Sequence, residues 1–402
     1  HTRSLCDWSS DVCSSDLLKM LVDRNEAITN FKKEKYYHVH LVLDGTEAVS
    51  EKFSKKEAAE KIATSCKGKT AVCTSVTSEK KEVLPPKLFD LTALQKEANR
   101  IFGYTAKQTL DLAQSLYEKK LLTYPRTDSN YLTDDMKETA DKVISMLLSM
   151  FSFMQSIEFT PEITGLLNSK KVSDHHAVIP TMELEKTDIS LLPESERNIL
   201  FLAGARLLMA SASSNVYETV TAIFSCEDYT FTAKGKTVLS SGWKEIEALF
   251  LMNLKEKQTK ENEKELPAFC EGERFDSFPI KVTEHDTLPP KAYTESTLLS
   301  SMERAGNKET TEDAERKGLG TPATRASIIE KIIKAGFVTR KGKQLIPTKD
   351  GMNLISILPE ALTSPLLTAE WENELSRIAK GEADADSFMK KIEALTKELI
   401  QG

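Results

Sequence analysis

LLTYPRTDSNYL, residues 121–132, places a tyrosine directly before a proline and two positions before an arginine. It follows at once on a helical stretch that carries Gln114 and Glu118. A phenol titrates near ~10, so Tyr124 attacks only where something removes or stabilises its proton. It suits phosphoryl transfer nonetheless, because an aryl phosphate ester is reactive enough for the step to reverse. Arg126 offers a permanently charged, planar fork to the phosphoryl oxygens. Pro125 stiffens the backbone between nucleophile and clamp. The same spacing also fits a half-buried aromatic beside a surface salt-bridge arginine, and spacing alone leaves both readings open.

Outward from this stretch, two further motifs carry chemistry. SDHHAVIPT, residues 173–181, sets adjacent histidines behind an aspartate. An imidazole titrates close enough to neutrality to hydrogen-bond a phosphate oxygen in its charged form. On a strand the two rings point to opposite faces, so at most one faces a given site. Metal binding and a purely structural role remain open for the pair. GLGTPATRASIIEK, residues 318–331, sets glycines before a helix N-terminus, where free backbone N–H groups bind phosphate. Thr321, Thr324 and Arg325 add direct contacts in that reading, and a plain capped core helix is its alternative. Gly68-Lys69-Thr70 and Gly235-Lys236-Thr237 echo the end of a P-loop. The required earlier glycine is Ala63 in one case and Thr230 in the other, so neither is a nucleotide site. His38 and His40 lie on an expected strand and read as structural.

Periodicity organises the rest. Tyr36 to Leu43 and Lys69 to Thr77 read as strands, with Ser54 to Cys66 as a helix between them. Pro85-Pro86 breaks regular structure. The pattern then turns helical to about Leu208, with a capping sequence at Thr105–Gln108. Strands return over Val216 to Leu249, with Tyr217–Phe224 and Tyr229–Thr237 as a hairpin and a short strand near Phe278 to Val282. Lys255 to Glu265 reads as a charged, exposed loop. After Pro289-Pro290, Thr294 caps a helix that stops at Gly306, and Asn307 to Arg316 reads as a mobile connection. Thr321-Pro322 opens a helix to Ala335, and Phe337 to Thr348 reads as a hairpin turning at Lys341-Gly342. Helix then basic hairpin makes a winged-helix-like unit suited to nucleic-acid backbone. The order predicts an α+β multidomain chain. A β-rich domain (18–84 and 214–286) is interrupted by a helical block (85–213), and a helical DNA-binding domain (287–402) follows. His1 to Leu17 shows no period and reads as a non-native leader, with the natural N-terminal part expected to be missing before it.

Composition sets bounds. A chain of 402 residues, 40% hydrophobic and 29% charged, is an ordinary globular protein with room for several domains. No apolar run nears the roughly 18–20 residues that span a bilayer, so no membrane role is expected. Six scattered cysteines without a C-x-x-C pair argue against a zinc ribbon and a disulfide framework, and point to a reducing cytoplasm. The net charge of −7 hides a local basic run. Arg316 to Lys349 holds nine Lys/Arg against the single Glu330, which also reads as one solvated face.

Together, residues 85–132, 173–181, 289–307 and 318–351 strongly resemble type IA DNA topoisomerases, in the family's order. The resemblance implies a toroidal core and ATP-independent strand passage, with helical and β-rich arch domains as laid out above. It implies that Tyr124 forms a 5′-phosphotyrosyl bond to one DNA strand, with Arg126 stabilising the phosphate and His175 contacting it. It also implies that Gln114, Glu118 and Thr123 line a single-strand groove, and that Thr321, Thr324 and Arg325 bind strand. The family's acidic Mg²⁺ ligands lie in a Toprim domain that finds no match here, so this chain alone is expected not to relax DNA. DNA, chiefly single-stranded, is the implied partner, with room for a helicase. Two rival readings are a non-catalytic single-stranded DNA-binding module and a phosphoesterase built on Asp174, His175 and His176.

Overall fold

The computed structural model describes residues 2–254, 266–305, 319–363, 370–371, 374–375, 377–378 and 381–401. Its elements in chain order begin with helix α1 (Thr2–Thr29), strands β1 (Lys35–Leu43) and β2 (Thr46–Val49), helix α2 (Lys56–Cys66) and strand β3 (Ala71–Val83). Helices α3 (Leu91–Phe102), α4 (Ala106–Glu118), α5 (Lys137–Met150) and α6 (Glu194–Ala210) follow. The chain then forms β4 (Asn215–Cys226), β5 (Tyr229–Ser240), helix α7 (Trp243–Asn253), β6 (Arg274–Phe275) and β7 (Ile280–Asp286). It continues with α8 (Glu295–Arg304), α9 (Pro322–Lys334), β8 (Val338–Lys341), β9 (Gln344–Pro347), α10 (Lys349–Ile357) and α11 (Ala385–Gln401).

Strand alternation builds the sheet. Along β1, Tyr37, Val39, Leu41 and Leu43 are buried while the residues between them are less so. Ala59, Ile62 and Cys66 of α2 bury one helix stripe with them, beside Phe224 and Phe231. Ala58, off that stripe, is exposed. The seven strands run in the order β6-β3-β4-β5-β2-β1-β7, and every pairing is antiparallel.

The insertion read from periodicity is present. Val83, the last residue of β3, pairs with Asn215, the first of β4. The helical block therefore leaves and re-enters the sheet at one point. Trp243 Nε1 donates to the Val83 carbonyl oxygen at 3.1 Å, and Asn215 Nδ2 donates to that of Ser240 at 2.9 Å. Gly242, at φ 51°, lies so close beneath that a Cβ there would stand 2.3 Å from the Ser214 oxygen. Inside the block, α3–α6 share an apolar core that includes Leu94, Ala113, Leu116, Val143, Leu147, Ala203 and Leu207.

The third core joins α8, α9, the β8–β9 hairpin and α10, with Leu298, Ile328, Ile332, Val338 and Leu345 inside. It carries a correction. The stretch in which no period was read, His1 to Leu17, is helical from Thr2, and Leu17, Leu18, Leu21 and Val22 of α1 are buried in this core. Two adjacent pairs one turn apart form a helical stripe, and Leu17 belonged to the segment set aside. Helix α7 is a second departure, since its apolar run was read as a continuation of strands. Short apolar runs do not distinguish helix from strand. The expected charged loop at 255–265, the stop at Gly306 and the connection at 307–316 lie outside the described residues.

Candidate active site

Helix α4 aims the site. Thr105 Oγ1 accepts from the Gln108 N–H at 3.0 Å, the expected N-cap. The buried Glu295 carboxylate accepts from the Ala106 N–H at 2.6 Å. At the other end Lys120, at φ 60°, turns the chain back so that the Leu121 N–H reaches the Leu116 oxygen at 2.9 Å. The returning segment lies beside residues 177–181. The Thr123 N–H donates to the Ile179 oxygen at 3.0 Å, and the Thr181 N–H to that of Leu121 at 3.1 Å. Buried Leu121, Leu122 and Pro125 anchor this segment while Arg126 is exposed. Tyr124 lies half-buried between them.

The two motifs thus meet. The Tyr124 ring stands 4.2 Å from the His175 ring, centroid to centroid, and 5.3 Å from that of Tyr117. His175 lies in a bend and His176 just after it, outside any named strand, yet the two line different cavities. His176 lines a cavity of about 540 Å³ with Tyr124, Tyr117, Glu118 and Thr123. His175 lines a smaller one of about 180 Å³ with Arg126, Asp128, Ser173, Asp174, Thr321 and Pro322. Arg126 has no ion-pair partner among the described residues, so its fork is open to an anion.

Other expected site residues are placed less directly. Gln114 Nε2 donates to Glu118 at 3.1 Å, and Glu118 is the one that reaches the tyrosine cavity. The Thr123 hydroxyl is consumed by backbone: it donates to the Ala177 oxygen at 3.1 Å and accepts from the Ile179 N–H at 2.9 Å. Thr321 and Thr324 cap α9 reciprocally, with the Thr321 N–H donating to Thr324 Oγ1 at 2.9 Å. Gly320, at φ 64°, makes the turn before them, and a Cβ there would stand 2.9 Å from Ile328. Arg325 is only 4% exposed. It donates to the Leu319 oxygen at 3.2 Å and to Thr92 Oγ1 at 3.0 Å, and burial lowers its pKa. It braces α9 against α3 rather than facing the open cavity. Arg340 likewise spends its charge internally, on Glu295 at 2.8 Å and on Glu330. The basic run is therefore less of a solvated face than its count suggests.

Thr127 was missed. It is buried, and its hydroxyl donates to the His175 oxygen at 2.7 Å, which ties the two motifs together. Its place inside the quoted stretch was its only signal.

Among the described residues, no group of three or more His, Cys, Asp and Glu side chains is arranged to hold a metal ion. Asp174, His175 and His176 do not form one, and Mg²⁺ finds no site in them. Among the same residues, no helix is long and apolar enough to cross a membrane.

Comparison with known proteins agrees with this arrangement. A family profile described as DNA topoisomerase matches residues 13–390. DNA topoisomerase 3 of Bacillus licheniformis is 35% identical over 410 residues, covering 96% of this chain and 55% of that protein. DNA topoisomerase 3 of Bacillus subtilis is 35% identical over 403 residues, with the same coverage of 96% and 55%. Full-length topoisomerase I from Thermotoga maritima superposes with a TM-score of 0.73 at 24% identity, covering 96% of this chain and 62% of that one. The chain belongs to the DNA topoisomerase family, and its fold is of the type IA kind. It spans about half the length of the curated relatives it matches.

Proposed function

We propose that this chain carries the strand-cleaving tyrosine of a type IA DNA topoisomerase. Tyr124 Oη attacks a backbone phosphorus, the phosphotyrosyl bond forms at the 5′ side, and the 3′ oxygen departs with a proton. Reversal reseals the strand, so the bond energy is conserved without ATP. Arg126 takes the phosphoryl oxygens as charge builds on them. His175, its ring 4.2 Å from that of the nucleophile, supplies an imidazole N–H to the same phosphate. Thr321 at the start of α9 lines the cavity that Arg126 and His175 share, and the strand taken is single, as the family resemblance implies. The carrying observation is that motifs about fifty residues apart meet here: the Tyr124 ring stands 4.2 Å from that of His175, and His175 shares a neighbouring cavity with Arg126. Free thiols at Cys66, Cys73, Cys226 and Cys270 support a reducing, cytoplasmic setting.

The test is covalent trapping on a single-stranded oligonucleotide, in the presence of the Mg²⁺ and any further domain the cleavage requires. Tyr124→Phe is expected to bind the strand as the parent does and to yield no covalent adduct. An adduct formed by the Phe variant would overturn the assignment of the nucleophile.

A further inference from the structure

Beyond Arg126 and His175, the segments 126–131 and 171–175 continue side by side. Ser173 Oγ donates to Asp128 at 3.2 Å, and Ser129 Oγ donates to the Lys171 oxygen at 3.0 Å. This path ends at Tyr131, five residues from Arg126 and so at most about 18 Å away along the chain. There two ammonium groups meet one ring. Lys171 Nζ stands 3.4 Å from the Tyr131 hydroxyl and 5.0 Å from the ring centroid, and Lys87 Nζ stands 5.5 Å from that centroid. Both lysines are exposed, and neither has a carboxylate partner among the described residues. The Lys171 ammonium beside it holds the Tyr131 phenol below the usual tyrosine range. Exposed lysines of this chain commonly pair with a nearby Asp or Glu, as Lys137 and Lys142 do. Here two cations share a surface aromatic instead. Such a cluster is a donor set awaiting an anion, with the ring as its resting place.

We propose that Lys87, Lys171 and the Tyr131 hydroxyl form a further subsite that takes one phosphate of a single DNA strand running out of the Tyr124 site. The subsite rests on the function proposed above, because continuity with Arg126 and His175 is what makes the anion a strand phosphate. It fixes the direction of the strand across the protein surface, past Asp128 and Ser173. Lys87 enters from the first residues of the helical block and Lys171 from the loop before the histidines, so the phosphate would bridge two segments distant in sequence.

The experiment measures binding of a fluorescent single-stranded oligonucleotide by the Tyr124→Phe chain, with and without the further changes Lys87→Ala and Lys171→Ala. The double change is expected to weaken binding about tenfold, the size of one charge-assisted hydrogen bond. It should also reduce the salt slope by about 0.7, the value for one phosphate on a single strand. A series of oligonucleotides, each with one neutral methylphosphonate, locates the contact. At a single position the parent should weaken to the level of the lysine variant, and the variant should be indifferent. Tyr131→Phe, which keeps the ring, reports the hydroxyl with a smaller loss at the same position. An unchanged affinity and slope in the lysine variant, with Arg126→Ala still impaired, would remove the subsite and leave the proposed function standing. A loss spread evenly over every position would also overturn it, as general attraction. Failure of the parent to bind single strands at all would sink both readings together.

Discussion

Thr127 holds the His175 backbone in place: its hydroxyl donates to that residue's carbonyl oxygen and accepts from the Ser129 N–H at 3.1 Å. The nucleophile's own segment thus sets the position of the imidazole it meets. Replacing Thr127 by Val keeps the volume and deletes both bonds, leaving a carbonyl and an N–H unsatisfied in a buried place. The expected destabilisation is about 1–3 kcal/mol. Adduct formation should fall by more than strand affinity does, because His175 moves while Arg126 remains. Thermal melting and a trapping assay, run side by side, check both parts.

Glu295 connects the third unit to the tyrosine block. Its carboxylate is 2% exposed and accepts from the α4 N-terminus and from Arg340 Nε at 2.9 Å. A negative charge at a helix N-terminus is favourable, and here the guanidinium balances it. Glu295→Ala leaves Arg340 half-paired and the Ala106 N–H without its acceptor. The expected loss is about 3–5 kcal/mol, the range for breaking a buried pair by removing one partner. Chemical denaturation measures it. A loss under about 1 kcal/mol would show that the contact is incidental.

How much of this was legible beforehand depended on distance along the chain. Local chemistry read well: the cap at Thr105, the Thr321-Pro322 start of α9, and the turn at Gly342, whose φ is 60°. The inserted block was also readable, because β-forming runs flank a helical period. Arg325 read as a surface contact because an arginine beside a helix cap usually faces water. Its burial depends on Thr92, more than two hundred positions earlier, and nothing local signals that. Helix α7 was lost to a mixed run of aromatic and branched residues, and α10 to the shortness of its period. The meeting of residues 121–132 with 173–181 is a tertiary pairing that spacing cannot show. The family resemblance implied it, and the ring contact at 4.2 Å displays it.

Gly242 closes the junction where the helical block re-enters the sheet. Its positive φ disfavours any Cβ, and the Ser213 and Ser214 oxygens occupy the space, at 2.5 and 2.3 Å from where one would stand. Both neighbours are backbone, so neither can swing aside. Gly242→Ala is expected to cost at least about 1–3 kcal/mol from overpacking alone. The bond from the Trp243 N–H to the Ser213 oxygen at 2.9 Å should be the first one disturbed. Tryptophan fluorescence during unfolding, which also reports Trp8 and Trp371, separates this effect once compared with a Trp243→Phe background.

The buried thiols make stability fall at alkaline pH. Burial pushes the Cys66 thiol up to about 12 from an ordinary value of 9.0, with the Cys226 thiol beside it adding to the effect. Cys226 is raised as well, again by burial. A pKa that is higher in the folded state means that the unfolded chain gives up its proton first as pH rises. The stabilising term is therefore complete below about pH 9 and is lost progressively as pH climbs towards 12. Replacing both thiols, as Cys66→Ala with Cys226→Ala, should flatten the decline of stability between pH 9 and 11 relative to the parent, although it lowers stability near neutrality by opening space in the core. Denaturant titrations at stepped pH supply the two slopes. Position-by-position alkylation supplies an independent check, because exposed Cys270 should label in the native protein while Cys66 should not. Equal slopes together with rapid native labelling of Cys66 would mean that the thiol is not sealed between α2 and β4.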